Sequence, residues 1–77
     1  MKTILHYYNQ RLIYCNHCAD EMEAINIAND IVSELYQNGY HQVLVLDENN
    51  DDIFNQSFIV EDVGFGTDVV CVKAVTL

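Results

Sequence analysis

The amino-acid sequence predicts a single α+β domain spanning residues 1–77, in which one helix packs on a small, mostly antiparallel sheet. Three observations support this fold class. The chain has 77 residues, which is too short for two independent cores. Short segments rich in β-branched and aromatic residues, typical of strands, lie on both sides of one segment with helical periodicity. Turn-forming residues separate these segments, and the predicted element order is β-β-α-β-β-β.

The first predicted element is a β-hairpin. Residues Thr3–Tyr8 carry mainly β-branched and aromatic side chains, which favours a strand. Asn9 and Gln10 predict a tight turn, and Arg11–Cys15 is predicted as the returning strand.

The helix is predicted from Asp20 to Asn38. Asp20 and Glu23 form a capping-box pattern, and acids in a first turn suit the positive end of the helix dipole. Gly39 is predicted to be the left-handed residue that ends the helix. Five apolar residues fall on one face at helical spacing: Ala24, Ala28, Ile31, Val32 and Leu35.

The remaining sequence predicts strands joined by turns. Residues His41–Asp47 are apolar on both faces, which is typical of a central strand beneath a helix. An acidic turn follows, and Ile53–Val60 is predicted as the next strand. Glu61–Thr67 is predicted as a loop in which Phe65 is exposed to a partner, and Val69–Val75 as the last strand.

Charge is the most unusual property of the chain. It contains 12 acidic and three basic residues, which gives a formal net charge of −9. The basic residues are Lys2, Arg11 and Lys73, so no Lys or Arg occurs from Leu12 to Val72, where all the acids lie. Such a chain repels nucleic acids and anionic membranes, which are bound through cations. We therefore expect a basic protein surface as partner, and no direct contact with nucleic acid or membrane.

Seven acids are the candidate partner-binding residues. On a helical wheel, Glu23, Asp30 and Glu34 fall within about 40° of each other, opposite the apolar face. The other candidates cluster in the acidic turn: Asp47, Glu48, Asp51 and Asp52. Two interpretations stay open. Either these carboxylates dock on a basic groove that normally holds nucleic acid, or they only keep a small protein soluble and monomeric.

A pair of cysteines ahead of the helix supports an alternative function as a small metal-binding or redox module. Cys15 and Cys18, with His17 between them, resemble the pair that thioredoxin and glutaredoxin place before a helix, where a thiol pKa is lowered. The chain has no proline to supply the cis-proline of that family, and zinc needs a second ligand pair. We expect no cofactor. The favoured interpretation makes Cys15 and Cys71 core residues on strands, and places His17 and Cys18 in a loop.

No catalytic pattern is present, so the protein is predicted not to be an enzyme. Ser33 and Ser57 are its only serines, and neither lies in a nucleophile motif. A further alternative is a structural or regulatory domain that self-associates through an exposed sheet edge. We expect the protein to be a monomer or a weak dimer. An odd number of cysteines and the lack of a signal-peptide core predict a cytoplasmic protein.

Size, charge and element order together resemble the small acidic inhibitors made by phages and mobile elements, namely anti-CRISPR and anti-restriction proteins. The resemblance covers the whole chain and includes no diagnostic motif, so no residue is assigned a role from it. It implies a phage protein that acts in the host cytoplasm. Such a protein would bind a host nuclease or CRISPR effector complex and block its nucleic-acid channel as a nucleic-acid mimic.

Overall fold

The predicted α+β class is confirmed, because one helix packs on an antiparallel sheet. The computed structural model describes residues 1–35, 37–62 and 67–72, and gives the backbone alone for residues 61, 62 and 67–72. The elements are β1 (Lys2–Tyr8), β2 (Arg11–Cys18), α1 (Glu21–Ser33), β3 (Gly39–Leu46), β4 (Asp52–Asp62) and β5 (Thr67–Val72). All neighbouring strands pair in the antiparallel sense.

The sheet has the strand order β2-β1-β3-β4-β5, so β3 lies at its centre. This position confirms the prediction from the apolar run in β3. The helix α1 crosses one face, mainly over β1 and β3. Beneath it, Ile4, Val43 and Val45 are fully buried together with Ala24 and Ala28 of the helix. The two alanines let the helix approach the sheet closely, and side chains of this kind supply most of the folding free energy.

The predicted hairpin turn is confirmed, but β2 is longer than predicted. Asn9 and Gln10 have φ values of 49° and 68°, the left-handed pair of a type I′ turn. The strand continues to Cys18 instead of ending at Cys15, because residues 16–18 keep pairing with β1 as far as Lys2.

The helix starts where the sequence predicts and ends five residues early, at Ser33 instead of Asn38. Asp20 is the N-cap, and its carboxylate accepts a hydrogen bond from the Met22 amide at 3.2 Å. At the other end the Glu34 amide donates to the Ile31 carbonyl, which tightens the last turn. Leu35, just beyond the helix, is buried in a second cluster with Phe58 and Val60.

Gly39 has a different role from the predicted one, since it opens β3 and does not end the helix. Its φ of +142° and its contacts both require glycine, because a Cβ atom would lie 2.8 Å from Tyr8 and Asn9 side-chain atoms. Asn9 closes this junction: its amide donates to the Tyr40 carbonyl, and its side chain accepts from the Tyr40 amide. The first hairpin is thereby fixed to the start of β3.

The C-terminal predictions are only partly covered by the described residues. Glu61 and Asp62 belong to β4 and Thr67 to β5, so the predicted loop is shorter than expected at both ends. Residues 63–66, including the predicted partner contact Phe65, and residues 73–77 lie outside the described residues.

Candidate functional site

The acids of the helix segment all lie at the surface. Asp20, Glu21, Glu23, Asp30 and Glu34 are exposed, as the helical wheel predicts for Glu23, Asp30 and Glu34. Burial of Ala24 and Ala28 fixes the rotation of α1 about its axis, and this rotation turns these three acids away from the sheet. Among the described residues, the ion pairs involve Glu48 and none of these helix acids.

Some acids of the turn after β3 accept hydrogen bonds within the protein, which the sequence does not reveal. Asp47 is half-buried, and its carboxylate accepts hydrogen bonds from the backbone amides of Asn49 at 2.8 Å and Asp51 at 3.0 Å. Asp52 accepts a hydrogen bond from the Asn55 amide group. Asp47 therefore shapes the turn, whereas Asp51 and Glu48 present exposed carboxylates.

Lys2 links the turn to the first turn of the helix. Its Nζ atom lies 2.6 Å from Oε1 of Glu48, and the Met1 amine lies 2.8 Å from the same oxygen. These hydrogen bonds hold the pKa of Glu48 at about 2. The hydrogen bond to Glu48 also raises the pKa of Lys2, and the charges of Glu21 and Asp47 add to this shift. Acids of the turn and of the helix start thus surround one lysine.

Most of the predicted site residues consequently form two groups, which we call the N-terminal patch and the C-terminal patch. The N-terminal patch comprises the predicted turn acids Asp47, Glu48, Asp51 and Asp52, and also Glu21, which was not among the predicted site residues and acts on Lys2 together with Asp47 and Glu48. The predicted Glu23 lies about 160° from Glu21 around the helix and belongs to neither patch. The C-terminal patch comprises Asp30 and Glu34. A rise of about 1.5 Å per residue separates Glu23 from Asp30 by about 10 Å along the helix.

The C-terminal patch opposes the helix dipole. Asp30 lies in the last turn and Glu34 is the C-cap, and the last turn contains no basic residue. Carboxylates at this end meet the partial negative charge of the terminal carbonyls, and as an i, i+4 pair they also repel each other. Each effect costs a few tenths of a kcal/mol, about 0.3–1 kcal/mol in all. Stability of the helix therefore does not explain these two acids.

The cysteine pair does not form a joint site. Both cysteines lie on β2, where residues three apart point to opposite faces. The predicted burial is reversed, since Cys15 is exposed and Cys18 is buried under the helix, with its thiol 3.4 Å from the Asp20 carbonyl. His17 lies on the strand and not in a loop, and its Nδ1 lies 3.2 Å from the Thr3 hydroxyl. In the described part of the chain no three His, Cys, Asp or Glu side chains are placed to share a metal ion. Cys71 lies on β5, and its side chain is outside the described residues.

The opposite burial of the two thiols predicts a large difference in their reactivity. In the folded protein Cys15 should react with an alkylating reagent at least about 100-fold faster than Cys18, because the buried thiol reacts only after local opening. Peptide mapping by mass spectrometry after timed labelling measures both rates, and unfolding in urea should make them similar. Equal rates in the folded protein would contradict the placement of Cys18.

A buried histidine pair is the feature that sequence reasoning missed. His6 of β1 and His41 of β3 are 8% and 2% exposed, and His6 Nε2 lies 2.9 Å from His41 Nδ1. His41 Nε2 lies 2.8 Å from the Gln37 carbonyl. The Tyr8 ring packs on the His41 ring at 4.8 Å between centroids, and the Tyr8 hydroxyl donates to the Asn38 carbonyl. The pair thus ties the segment after the helix to the sheet.

The hydrogen bonds of the pair define its protonation. A carbonyl only accepts, so His41 Nε2 carries the proton that is donated to Gln37. When this is the only proton on the His41 ring, Nδ1 of His41 accepts and His6 donates from Nε2. Burial lowers the pKa of His6, and the neighbouring His41 adds to this shift. The folded protein therefore holds His6 neutral.

Mild acid should therefore weaken the fold through His6. Because its pKa is lower in the folded than in the unfolded protein, the unfolded protein binds more protons as the pH falls below about 6.5. The free energy of unfolding should start to drop as the pH falls through about 6.5, whereas the loss from Glu48 begins only below its ordinary pKa of 4.5. Urea unfolding at several pH values measures this slope.

Two glutamine variants distinguish the effect of the buried His6 on the pH dependence of stability from that of the exposed His17. His6→Gln keeps a donor toward His41 and removes the titrating group, so it should flatten the slope. His17→Gln changes an exposed histidine and should leave the slope as it is. A slope that survives His6→Gln would assign the effect to another group.

Comparison of the chain with protein-family models, curated proteins and solved structures found no match. Among the described residues, α1 is too short and too polar for a membrane-spanning helix.

Proposed function

We propose that the protein is a non-enzymatic binding protein that docks through its acidic surface on a basic, nucleic-acid-binding protein surface. In this proposal it is a phage-type inhibitor of a host defence complex, such as a host nuclease or CRISPR effector complex, and acts in the host cytoplasm. Its carboxylates occupy the positions that phosphates of nucleic acid would otherwise take.

The C-terminal patch is the observation that carries this proposal. Asp30 and Glu34 are exposed, repel each other and oppose the helix dipole. Acids that only increase solubility can stand anywhere on a surface, and at the helix start they would also stabilise the fold. Acids retained where they destabilise the helix are expected when a cationic partner neutralises them.

The distribution of cations supports a basic partner. From Leu12 to Val72 the chain has no Lys or Arg. The helix acids therefore have no cationic side chain within this segment of the sequence. A negative field of this kind accelerates association with a positive surface and repels competing anionic molecules. Basic surfaces of sufficient extent are typical of proteins that bind nucleic acid.

Affinity capture from a bacterial lysate tests the proposal with two variants matched in charge. Asp30→Asn/Glu34→Gln and Cys15→Lys/His17→Lys both raise the net charge by two. The first pair removes the C-terminal patch, and the second lies on the sheet face opposite the helix. We expect the wild-type protein to retain a nucleic-acid-binding protein at about 0.1 M salt and to lose it at about 0.5 M, where screening is stronger.

The variants decide whether the position of the charge matters. The patch variant should capture less than about one tenth of the partner, and the opposite-face variant about as much as the wild-type protein. Equal losses in both variants would reduce the effect to net charge and contradict docking through the patch. Loss in the opposite-face variant alone would favour a site at Cys15 and His17.

A further inference from the structure

The outer strand β2 leaves an apolar edge of the sheet open. In the described sheet β2 is the end strand, paired only with β1. All of its residues except Cys18 are exposed. Leu12, Ile13 and Tyr14 are 46%, 49% and 37% exposed, and they follow one another in the sequence. A strand eight residues long, whose outer side pairs with no other strand of the described sheet and which carries exposed apolar side chains, is a template for another strand.

The usual protection of such an edge is largely missing. Sheet edges are commonly blocked by proline, by lysine or by inward-pointing charges. β2 contains none of these, and its only charged residue is Arg11 at its start. A β-bulge near Ile13 of β2, opposite His6 and Tyr7 of β1, interrupts the regular backbone hydrogen bonding. Regular pairing with another strand is therefore available from Tyr14 onward.

The charge pattern around β2 is complementary to itself. Residues 1–19 contain no acid, although the chain has a net charge of −9. Arg11 begins the strand, and Asp20 and Glu21 follow its end. When two copies of such a strand pair in the antiparallel sense, the cation of each lies beside the acids of the other, at both ends of the interface.

We propose that a second copy of this chain pairs with β2, in an antiparallel, two-fold arrangement centred near Asn16. Backbone hydrogen bonds extend the sheet across both copies, and Tyr14 of each strand lies opposite Cys18 of the other. Arg11 of each copy lies near Asp20 and Glu21 of the other. The two helices then lie on the same face of the joined sheet.

A second copy fits this edge better than an unrelated strand for two reasons. A two-fold interface requires a surface that is complementary to itself, which the Arg11 and Asp20–Glu21 pattern provides. Two molecules with a net charge of −9 repel each other over most of their surfaces, and the acid-free edge is where this repulsion is smallest. Glu21 of the N-terminal patch lies in this interface, whereas the C-terminal patch that carries the proposed docking function lies outside it, so the pairing is independent of that function.

Analytical ultracentrifugation of the whole chain tests the pairing. The average mass of the wild-type protein should rise from 8.8 kDa toward twice that value as its concentration reaches about 0.5 mM. Asn16→Lys places like charges opposite each other at the two-fold axis and should remain monomeric over the same range. A wild-type protein that stays monomeric throughout, or a dimer that persists in this variant, would overturn the proposal.

A charge exchange distinguishes the interface from a folding defect. Arg11→Glu should weaken the dimer about tenfold, and the added change Glu21→Lys should restore it. Misfolding would not be repaired by the second change. As an independent readout, a short bis-maleimide should cross-link two copies through Cys15, and Cys15→Ser should abolish the product. Failure of both the exchange and the cross-link would contradict the antiparallel arrangement.

Discussion

Replacing His41 with alanine is expected to lower the free energy of unfolding by about 3–4 kcal/mol. The side chain is fully buried, so its removal leaves a cavity next to the Tyr8 ring. It also leaves His6 without its acceptor and the Gln37 carbonyl without its donor. For a domain of this size, whose total stability is of order 4–12 kcal/mol, such a loss is large.

Chemical unfolding of three variants measures this contribution. His17→Ala removes an exposed histidine and should cost no more than about 0.5 kcal/mol. The double variant His6→Leu/His41→Phe replaces both polar partners by apolar groups of similar size. It should recover part of the lost stability, because it fills the cavity and leaves neither histidine without its partner, although the Gln37 carbonyl still lacks its donor. A cost below about 1 kcal/mol for His41→Ala would contradict the buried network.

Reversing the C-terminal patch should raise stability and lower partner binding at the same time. In Asp30→Lys/Glu34→Lys, two cations replace two anions at the negative end of α1. The free energy of unfolding should rise by about 0.5–1 kcal/mol, because the repulsion is removed and the dipole is complemented. Capture of a basic partner should fall by about 100-fold or more, mainly through slower association at low salt.

The opposite signs of the two effects make this variant informative. Circular dichroism on heating reports the stability, and surface-immobilised partner from the capture experiment reports the association rate. A variant that binds less because it is less stable would refute the assignment of these acids to binding. If partner binding is unchanged while stability rises, Asp30 and Glu34 have no role in binding the partner.

Local patterns predicted most of the elements. The Asn9-Gln10 turn, the Asp20 cap and the central position of β3 each follow from a few neighbouring residues, whose preferences agree with the final structure. The predicted end of the helix was wrong, because Gly39 matches the sequence pattern of a residue that ends a helix. The chain leaves the helix earlier, after Ser33, and Leu35 packs against Phe58 and Val60.

The site depends on contacts that the sequence does not reveal. His6 and His41 are 35 residues apart, and they meet only because β1 pairs with β3. The same pairing brings Lys2 to the acidic turn and makes Glu48 its partner. Strand order is set by the whole core, so neither contact can be read from local spacing. Exposure of Glu23, Asp30 and Glu34 was predictable, because the period of α1 alone places them opposite the buried alanines.

Competition with duplex DNA tests the central claim most directly. The partner captured from lysate is immobilised, saturated with the protein and then titrated with DNA of random sequence. If the acidic surface occupies a nucleic-acid channel, DNA should release the protein in proportion to its occupancy of the partner. DNA and protein bound to the partner at the same time, with no release at saturating DNA, would contradict the account.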